Sequence, residues 1–186
     1  MTGFQTWIGY ADVKSSPTYF YVQRNASFNE TKTPMPFDVE LLNVGGAMNL
    51  NSGKFTAPVA GRYFFSFTEL VRFPGSSALQ YCKIHLYKNG VYIAQGHSDE
   101  ISTLNQYENL SLQSTLNLEK GDEIWLEINF LTTGAYPYGY LFNHFNGFLL
   151  EEDVSESVKT LQWDYSKICW KWNVETFLIL LYDCCT

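Results

Sequence analysis

The sequence lacks a long apolar run and is poor in basic residues. No apolar stretch reaches the ~20 residues that a membrane-spanning helix needs, and the run from Phe177 to Tyr182 is far too short. Lysine and arginine number 12 against 19 aspartates and glutamates, a formal net charge of -7, and no basic run alternates with aromatic residues. Nucleic-acid-binding proteins show the opposite pattern. The sequence therefore predicts no membrane span and no nucleic-acid partner.

Histidine is also scarce, and this argues against catalysis. His85, His97 and His144 are the three histidines, and none belongs to a His-x-His, His-x-x-x-His or Gly-x-Ser-x-Gly motif. Among all-β folds, the jelly roll also carries the cupin enzymes. Their metal site needs a His-x-His pair on one strand, and that pair is missing. We therefore expect each histidine at the surface or in a loop, and a protein that is not an enzyme.

Cysteine is confined almost entirely to the C-terminal end. Cys82 stands alone in the body of the chain, on an apolar strand face where a free thiol behaves as a small hydrophobic residue, so we expect it in the core. Cys169, Cys184 and Cys185 match no zinc-ligand spacing, and no histidine lies near them. The sequence predicts no cofactor from these residues.

The two ends differ from the body. Residues 1–16 show no signal-peptide pattern. Either export information is missing or the start is truncated or misassembled, and a family resemblance in the body of the chain favours the second. Residues 154–186 hold three of the five tryptophans and three of the four cysteines. This tail is either a genuine appendage, with a short helix from Thr160 to Trp172 and cysteines that link chains, or a read-through or alternative-frame product. Its unpatterned composition favours the second. Collagen-like Gly-X-Y repeats and sustained heptads are absent, so the sequence predicts a globular head without a collagen or coiled-coil stalk.

What the body does contain is strand periodicity. At 46% hydrophobic and 17% aromatic, it can support one domain. Residues two apart share a strand face, so four sets of residues predict buried faces: Tyr63, Phe65 and Phe67; Phe37, Val39 and Leu41; Cys82, Ile84 and Leu86; and Leu110, Leu112, Leu116 and Leu118. A first strand is expected at Tyr19 to Val22, and Asn89-Gly90 predicts a tight hairpin turn.

The C-terminal half of the body predicts further strands. Ile124, Leu126, Ile128 and Phe130 alternate with polar residues, and the turn at Glu119 to Asp122 suggests a meander with the preceding leucine strand. The unbroken run from Phe145 to Leu150 suits burial on both sides. Arg72 to Ser77 and Thr132 to Tyr140 are expected as exposed loops. So many antiparallel strands with apolar faces predict an all-β fold of two packed sheets, for which the jelly roll is one solution.

One aromatic motif adds a family resemblance. Its positions are Phe37, Asn43, Met48, Phe55, Gly61, Tyr63, Phe65 and Phe67, and similar segments follow at Leu86 to Gly90, Gly121 to Leu126 and Phe145 to Leu150, which includes Gly147 and Phe148. Residues 17–153 thereby resemble the complement C1q-type globular head of the C1q and tumour necrosis factor superfamily. Only Met48 departs from the motif, and methionine fills apolar gaps adaptably.

The resemblance implies a fold, an assembly and a location. Family members are jelly-roll sandwiches of two antiparallel sheets that form tight homotrimers through aromatic contacts, and they are usually secreted. Fourteen phenylalanines and thirteen tyrosines exceed what one small core readily hides, and a trimer interface would absorb the excess. We expect the motif residues in the core and the subunit interface. Gly61 suits a turn or a close approach to another backbone.

Two functions are compatible with this resemblance. The first is an extracellular lectin-like module of innate defence, a trimeric head that binds glycans or pathogen surfaces. The second is a ligand for a protein receptor or a structural protein, similar to cerebellins or tumour necrosis factor-like cytokines. Loops carry specificity, so the candidate ligand contacts are Arg72, Phe73, Tyr136, Tyr138 and Tyr140.

Calcium and N-linked sugar are the remaining expectations. Related trimers can bind calcium through loop carboxylates, and Asp99, Glu100, Asp122 and Glu123 could supply oxygens, although no loop has a recognisable calcium spacing. Three Asn-x-Ser/Thr sequons begin at Asn25, Asn29 and Asn109. Asn25 and Asn29 lie in a polar stretch and Asn109 on a polar strand face, so all three are plausible acceptors for N-linked glycans.

Overall fold

The computed structural model describes residues 14–153, which form eleven β-strands. The Trp- and Cys-rich tail, its expected helix and most of the N-terminal lead lie outside the described residues. The strands are β1 Tyr19–Gln23, β2 Val39–Val44, β3 Met48–Asn49, β4 Lys54–Thr56, β5 Gly61–Phe73, β6 Ser76–Lys88, β7 Val91–Ser102, β8 Gln106–Leu118, β9 Glu123–Leu131, β10 Tyr136–Pro137 and β11 His144–Glu152. Within residues 14–153 no helix is long and apolar enough to cross a membrane.

The strands form two antiparallel sheets. Sheet 1 has the order β10-β5-β11-β1-β2, with β8 paired to the other edge of β5 along its full length. Sheet 2 has the order β3-β4-β9-β6-β7. The chain crosses repeatedly from one sheet to the other, so sequence neighbours such as β4 and β5 lie in different sheets. The predicted two-sheet jelly roll is confirmed.

The core lies between the sheets and is built on the aromatic face of β5. Tyr63, Phe65 and Phe67 are fully buried there, as their alternation predicts. The ring centroid of Phe65 lies 5.3 Å from that of Phe55 and 6.3 Å from that of Phe20. Offset and edge-to-face contacts at these separations add to the free energy of burial. The motif aromatics thus hold the two sheets together.

Two motif glycines permit this packing. A Cβ at Gly61 would lie 2.5 Å from the Glu151 carbonyl oxygen, which confirms the predicted close approach to another backbone. A Cβ at Gly147 would lie 2.6 Å from the Phe20 ring and 2.7 Å from the Phe65 ring. Such distances are inside van der Waals contact, so both positions require glycine.

Two turns behave as their residues predict. Asn89 and Gly90 both have positive φ, 51° and 82°, the geometry of a type I′ hairpin. The Asn43 side chain closes the turn before β3: its Nδ2 donates to the Met48 carbonyl at 2.9 Å, and its Oδ1 accepts from the Met48 amide at 3.2 Å. Met48 is 3% exposed and joins the core, so its departure from the motif is accommodated.

The predicted meander of β8 and β9 is wrong. The core-facing leucines of β8 are where periodicity places them, but β8 pairs with β5 in sheet 1 and β9 pairs with β4 and β6 in sheet 2. The turn between them binds the chain just after β4: the Ala57 amide donates to the Asp122 carbonyl at 2.9 Å, and the Gly121 amide donates to the Ala57 carbonyl at 2.8 Å. These bonds direct β9 alongside β4.

Two predicted core residues point outwards because of register shifts. Phe130 is 40% exposed because the β6–β9 pairing shifts by one residue. Lys83 pairs with Phe130 and Ile84 with Ile128, which leaves Asn129 unpaired, so Ile128 faces the core and Phe130 faces outwards. Leu41 is 51% exposed, because β1 pairs with its neighbours Leu42 and Glu40 across a similar shift. One extra residue reverses the face of every side chain beyond it.

The remaining corrections concern β11 and the histidines. Phe145, Gly147 and Leu149 are buried, but Phe148 is half-buried and Leu150 is 40% exposed, so the strand is not buried on both sides in a single chain. The three histidines lie on strands β6, β7 and β11, not in loops; His97 is exposed at the surface, as predicted, and His85 and His144 are half-buried. Cys82 is buried and unpaired, as predicted.

Candidate functional site

Five aromatic rings gather where β5 and β8 reach one end of sheet 1. We call this set the tyrosine cluster: Tyr107, Tyr136, Tyr138, Tyr140 and Phe142. Successive ring centroids lie 6.3 Å apart for Tyr136 and Tyr138 and 5.2 Å apart for Tyr138 and Tyr140. Tyr107 meets Tyr138 edge-on at 5.0 Å, and Phe142 lies 5.9 Å from it. Tyr138 is therefore the centre of the cluster.

Strand pairing positions the cluster. Tyr136 in β10 and Tyr107 in β8 both pair with Arg72, one on each side of β5. The Tyr138 amide donates to the Leu70 carbonyl at 2.8 Å, which continues the β10–β5 pairing beyond the short strand. Because paired residues of an antiparallel ladder point to the same side, Tyr136 and Tyr107 share the outer face of sheet 1 with Arg72.

The backbone after Tyr138 has an uncommon conformation. Gly139, Tyr140 and Leu141 have φ values of 63°, 53° and 65°, so three successive residues are left-handed. Glycine adopts this conformation without cost, but tyrosine and leucine do not. The Tyr140 amide donates to the Asn25 carbonyl at 2.7 Å, and the Leu141 amide donates to the Arg24 carbonyl at 3.2 Å. Such over-determined strain concentrates at functional sites.

An open depression of about 400 Å³ lies beside the rings. It is lined by Ser27, Asn29, Tyr136, Tyr138 and Tyr140. The wall formed by Ser27 and Asn29 is anchored between them by Phe28, which is 7% exposed and lies under the Arg24 guanidinium at 4.7 Å. Both walls are therefore fixed before any ligand arrives.

One carboxylate fixes the start of the Ser27 wall. The Asp38 side chain accepts hydrogen bonds from the Asn25 amide at 2.6 Å and from the Ala26 amide at 3.1 Å. The depression consequently offers ring faces, phenol hydroxyls and a primary amide on a preformed surface. These are the groups by which rigid recognition surfaces take up polar, uncharged ligands.

The electrostatics of the tyrosine cluster favour an uncharged phenol at its centre, with positive charge only at its edge. A hydrogen bond to Tyr107 raises the pKa of Tyr138, with further contributions from burial and the neighbouring tyrosines. The Arg72 guanidinium lies 5.5 Å from the Tyr136 ring centroid and supplies positive charge at the edge. The Tyr138 phenol therefore stays protonated near neutral pH and can donate a hydrogen bond.

The structure brings together four of the five predicted ligand contacts. Tyr136, Tyr138 and Tyr140 form the cluster, and Arg72 borders it. The prediction that Phe73 contacts ligand is wrong, because its side chain is fully buried. Strand β5 extends to Phe73 and β6 starts at Ser76, so Arg72 to Ser77 is not a loop. Sequence reasoning missed Tyr107, Phe142, Ser27 and Asn29 as neighbours of the tyrosines. Phe142 continues the two-residue spacing of the three tyrosines and could have been found from it. Tyr107 is brought in by the pairing of β8 with β5, and Ser27 and Asn29 by the segment between β1 and β2, so local patterns do not reveal these three.

The four calcium candidates do not form one group. Asp99 and Glu100 lie within strand β7 rather than in a loop. Burial opposes ionisation of Asp122, but hydrogen bonds from Lys88, Asn89 and the Glu119 amide outweigh it and lower its pKa. Glu123 pairs with Lys54 at 2.8 Å. Nowhere in residues 14–153 do three His, Cys, Asp or Glu side chains converge as a metal site would require, and calcium binding stays a prediction.

A second surface is the outer face of sheet 1. Register places one residue from each of five strands in a line across it, which we call the aromatic row: Val44, Tyr19, Phe148, Phe64 and Thr115. Phe148 lies 6.1 Å from Tyr19 and 5.4 Å from Phe64, measured between ring centroids. Rings that contact each other at the surface form a continuous apolar stripe.

Two lines flank the aromatic row: one contains Arg62 and Glu151, whose side chains pair at 3.2 Å, and the other carries no charged side chain. It contains Leu42, Tyr21, Asn146, Ser66 and Gln113. The Tyr21 hydroxyl is hydrogen-bonded to His144 Nδ1 at 2.6 Å. The motif residue Phe148 therefore belongs to an outer surface, whereas Gly147 beside it belongs to the core.

The three predicted glycosylation sites are all exposed. Asn25 and Asn29 lie in the segment between β1 and β2, and Asn109 lies in β8 on the outer face of sheet 1. Exposure is necessary for a folded protein to carry N-linked sugar, and occupancy of the three sites stays a prediction.

Comparison with known proteins agrees with this fold and motif. The family model described as C1q domain matches residues 19–150. Mouse complement C1q tumor necrosis factor-related protein 2 is 29% identical over 139 residues, 74% of this chain and 44% of that protein. The corresponding mouse protein 3 is 30% identical over 126 residues, 67% of this chain and 48% of that protein. Zebrafish caprin-2 is 29% identical over 137 residues, 72% of this chain and 14% of its own length.

A solved structure gives the same result for the fold. The globular domain of zebrafish complement 1qA protein superposes with a TM-score of 0.57 at 24% identity and covers 73% of this chain and 99% of its own. The matches span less than half the length of the curated relatives. Because the family model covers most of the two-sheet body and its aromatic motif, the chain belongs to the C1q domain family.

Proposed function

We propose that this protein is a secreted, non-enzymatic recognition module that forms a homotrimer and binds glycans on microbial or other extracellular surfaces through the tyrosine cluster. The observation that carries the proposal is the open depression, where three tyrosines face an anchored polar wall. Tyrosine presents a rigid, amphipathic surface at low entropic cost, which suits a sugar with one apolar and one hydroxylated side.

The described residues offer little that could act as a nucleophile. Burial, with a smaller contribution from Glu69, raises the pKa of the Cys82 thiol to about 12, so its reactive thiolate is essentially absent at neutral pH. His144 is engaged with Tyr21, and His85 Nε2 lies 3.0 Å from Gln95 Oε1. These contacts are those of structural side chains, which favours binding over catalysis.

The aromatic row supports the homotrimer. An uncharged line with half-exposed aromatic and aliphatic residues is the composition expected at the centre of a subunit interface. Phe64 in the row and Arg72 beside the tyrosine cluster are eight residues apart on β5, which is roughly 27 Å of extended strand. Assembly through the row therefore leaves the cluster free, and three copies of a weak site would gain avidity.

Glycan binding can be tested with the full chain expressed behind a cleavable secretion leader. We expect the trimer to bind a subset of a glycan array, and the combined variant Y136A/Y138A/Y140A to lose that binding. Tyr92→Ala is the matched control, because Tyr92 is 49% exposed on the outer face of sheet 2. No binding by the unaltered protein, or unchanged binding by the triple variant, would refute the proposal.

One observation favours a protein receptor as the second candidate. Leu141 and Phe142 at the tip of the strained turn are 42% and 51% exposed and offer apolar anchors for a partner's pocket. In that case, binding to cells would depend on a surface protein, would resist competing sugars, and would fall on Phe142→Ser. Sensitivity to free sugar would instead support glycan recognition.

A further inference from the structure

One predicted glycosylation site lies in the wall of the candidate binding site. Of the three acceptor asparagines, only Asn29 lines the depression beside Tyr136, Tyr138 and Tyr140; the Asn25 sequon reaches it only through Ser27. Asn25 uses its backbone to hold the strained turn, and Asn109 lies on β8. A sugar on Asn29 would thus begin its path against the tyrosine rings.

The local backbone presents this sequon in a fixed direction. Phe28 points inwards, so Ser27 and Asn29 on either side of it face the depression together. Thr31 bridges to Ile128 of β9, and the Lys32 amide donates to the Ile128 carbonyl at 2.9 Å. Asn29 and Thr31 both remain exposed in this arrangement. Folding therefore leaves room for a sugar and fixes its direction.

We propose that Asn29 carries an N-linked glycan whose first sugar lies against Tyr138 and Tyr140, so that the protein's own glycan covers the tyrosine cluster. The donor is a lipid-linked diphospho-oligosaccharide. The Asn29 amide nitrogen forms a bond to the anomeric carbon of the first N-acetylglucosamine as the bond from that carbon to the diphosphate oxygen breaks. The nitrogen loses one proton, and the lipid diphosphate leaves. No oxidant or reductant takes part.

Tethering makes even a weak contact significant. A volume of about 400 Å³ is within the range of small-ligand pockets. The sugar is attached to a residue of the wall itself, so its effective concentration over the rings is about millimolar or higher. Stacking with millimolar affinity is enough to occupy the site about half of the time. The attached glycan would then behave as an intramolecular competitor.

The functional consequence depends on the proposed glycan-binding function. If the tyrosine cluster binds external glycans, the form modified at Asn29 binds them more weakly than the unmodified form. Occupancy of Asn29 would then regulate ligand binding without any change of fold. The contact between attached sugar and tyrosines, however, can be tested without any external ligand.

Two substitutions at one position separate modification from side-chain effects. Thr31→Ala removes the sequon and keeps Asn29, whereas Thr31→Ser keeps the sequon. Asn109→Gln removes a different sequon as a further control. Each full-length variant is secreted from mammalian cells behind the same cleavable leader. Its Asn29 occupancy is read by peptide mass, and the folded protein is nitrated at tyrosine. We expect about twofold more nitration at Tyr138 and Tyr140 in T31A than in T31S, from release of a half-occupied site.

The outcomes distinguish this inference from the proposed function. Absence of sugar at Asn29 in the secreted T31S protein, or equal tyrosine nitration in T31A and T31S, overturns the inference. Increased nitration in T31A without binding to any glycan on the array upholds the sugar contact and refutes the proposed function instead. Nitration that rises equally in N109Q would show a general effect of lost sugar, and it also overturns the inference.

Discussion

The aromatic row of sheet 1 and the outer face of sheet 2 both expose several aromatic rings, but different side chains surround them. On sheet 1 the aromatic row and one of its two flanking lines contain no charged side chain, and Arg62 in the other line pairs with Glu151. On sheet 2 the Lys54 ammonium lies 4.4 Å from the Trp125 ring centroid, and Lys83 lies 5.3 Å from that of Tyr81. Cations over rings suit a surface in permanent contact with water. The charge around the rings, more than their number, separates a surface adapted to water from one that needs a covering partner.

The largest effect should follow from placing one charge in the aromatic row. Phe148→Glu would bring carboxylates into the interface of the proposed trimer, where the nearby cation Arg62 is already paired with Glu151. We therefore expect dissociation to monomers at micromolar concentration. Phe130→Glu is the matched control, because Phe130 is 40% exposed on sheet 2. Light scattering after size exclusion measures both. Trimers from both variants, or monomers from the unaltered chain, would contradict the comparison.

A ring between the sheets gives the next largest effect. Phe65 is fully buried against Phe55 and Phe20, so Phe65→Ala should reduce the free energy of unfolding by about 3–5 kcal/mol. Tyr92→Ala on the outer face of sheet 2 should change it by about 0.5 kcal/mol or less. Urea unfolding at matched protein concentration compares them, and equal losses would show that outer rings carry as much stability as the core.

Glu69, on the core-facing side of sheet 1, allows the effect of a buried carboxyl group on stability to be tested by varying pH. Its side chain is 1% exposed and its Oε2 has no hydrogen-bond partner. Burial raises its pKa to about 8, against smaller opposing effects of the Leu70 amide and Arg24. The folded state thus holds a proton that the unfolded state releases near pH 4.5, so its contribution to stability is complete below that pH and disappears as the pH rises through about 8.

The expected pH dependence follows from this sign. Between these two pH values the free energy of unfolding should fall by about 1.4 kcal/mol per pH unit from this group alone. Glu69→Gln should flatten the slope, whereas Glu119→Gln at an exposed turn should leave it unchanged. The measurement is denaturant unfolding across a pH series. A slope that persists in E69Q would assign the effect to other groups.

The smallest effect concerns the cation at the edge of sheet 2. Lys54 both covers Trp125 and pairs with Glu123, and Lys54→Met removes both interactions while keeping an apolar stem. Partly exposed contacts of this kind contribute about 0.5–1 kcal/mol. Lys54→Arg should restore most of that stability in thermal unfolding. An unchanged midpoint in K54M would show that the cation contributes solubility alone.

Sequence periodicity predicted the parts of the fold that depend on local alternation. The buried faces at Tyr63, Cys82 and Leu110 were correct because period-two patterns specify a face without knowledge of the partner strand. Phe130 failed because a register shift is a property of two paired strands. The β8–β9 meander failed for the same reason: a short turn does not reveal which sheet the next strand will join.

The type of side chain at the candidate site was predictable from the sequence, but the full set of residues was not. Tyr136, Tyr138 and Tyr140 are two apart and close in sequence, so their grouping could be proposed from the chain alone. Tyr107 joins them only through the pairing of β8 with β5, and Asn29 only through the fixed turn beside Asn25. These contacts join residues roughly thirty to a hundred positions apart. They depend on topology, which local patterns do not contain.

The strained turn at Gly139 to Leu141 has a consequence for protein engineering. A Cβ at Gly139 would lie 2.7 Å from the Asn25 carbonyl oxygen, and its φ of 63° also disfavours any other residue. Tyr136, Tyr138 and Phe142 have negative φ and lie beside it. A library that keeps Gly139 and varies those three side chains would diversify the binding surface on a constant backbone, much as antibody repertoires vary loops on a rigid framework. The turn thus divides the loop into a part to conserve and a part to randomise.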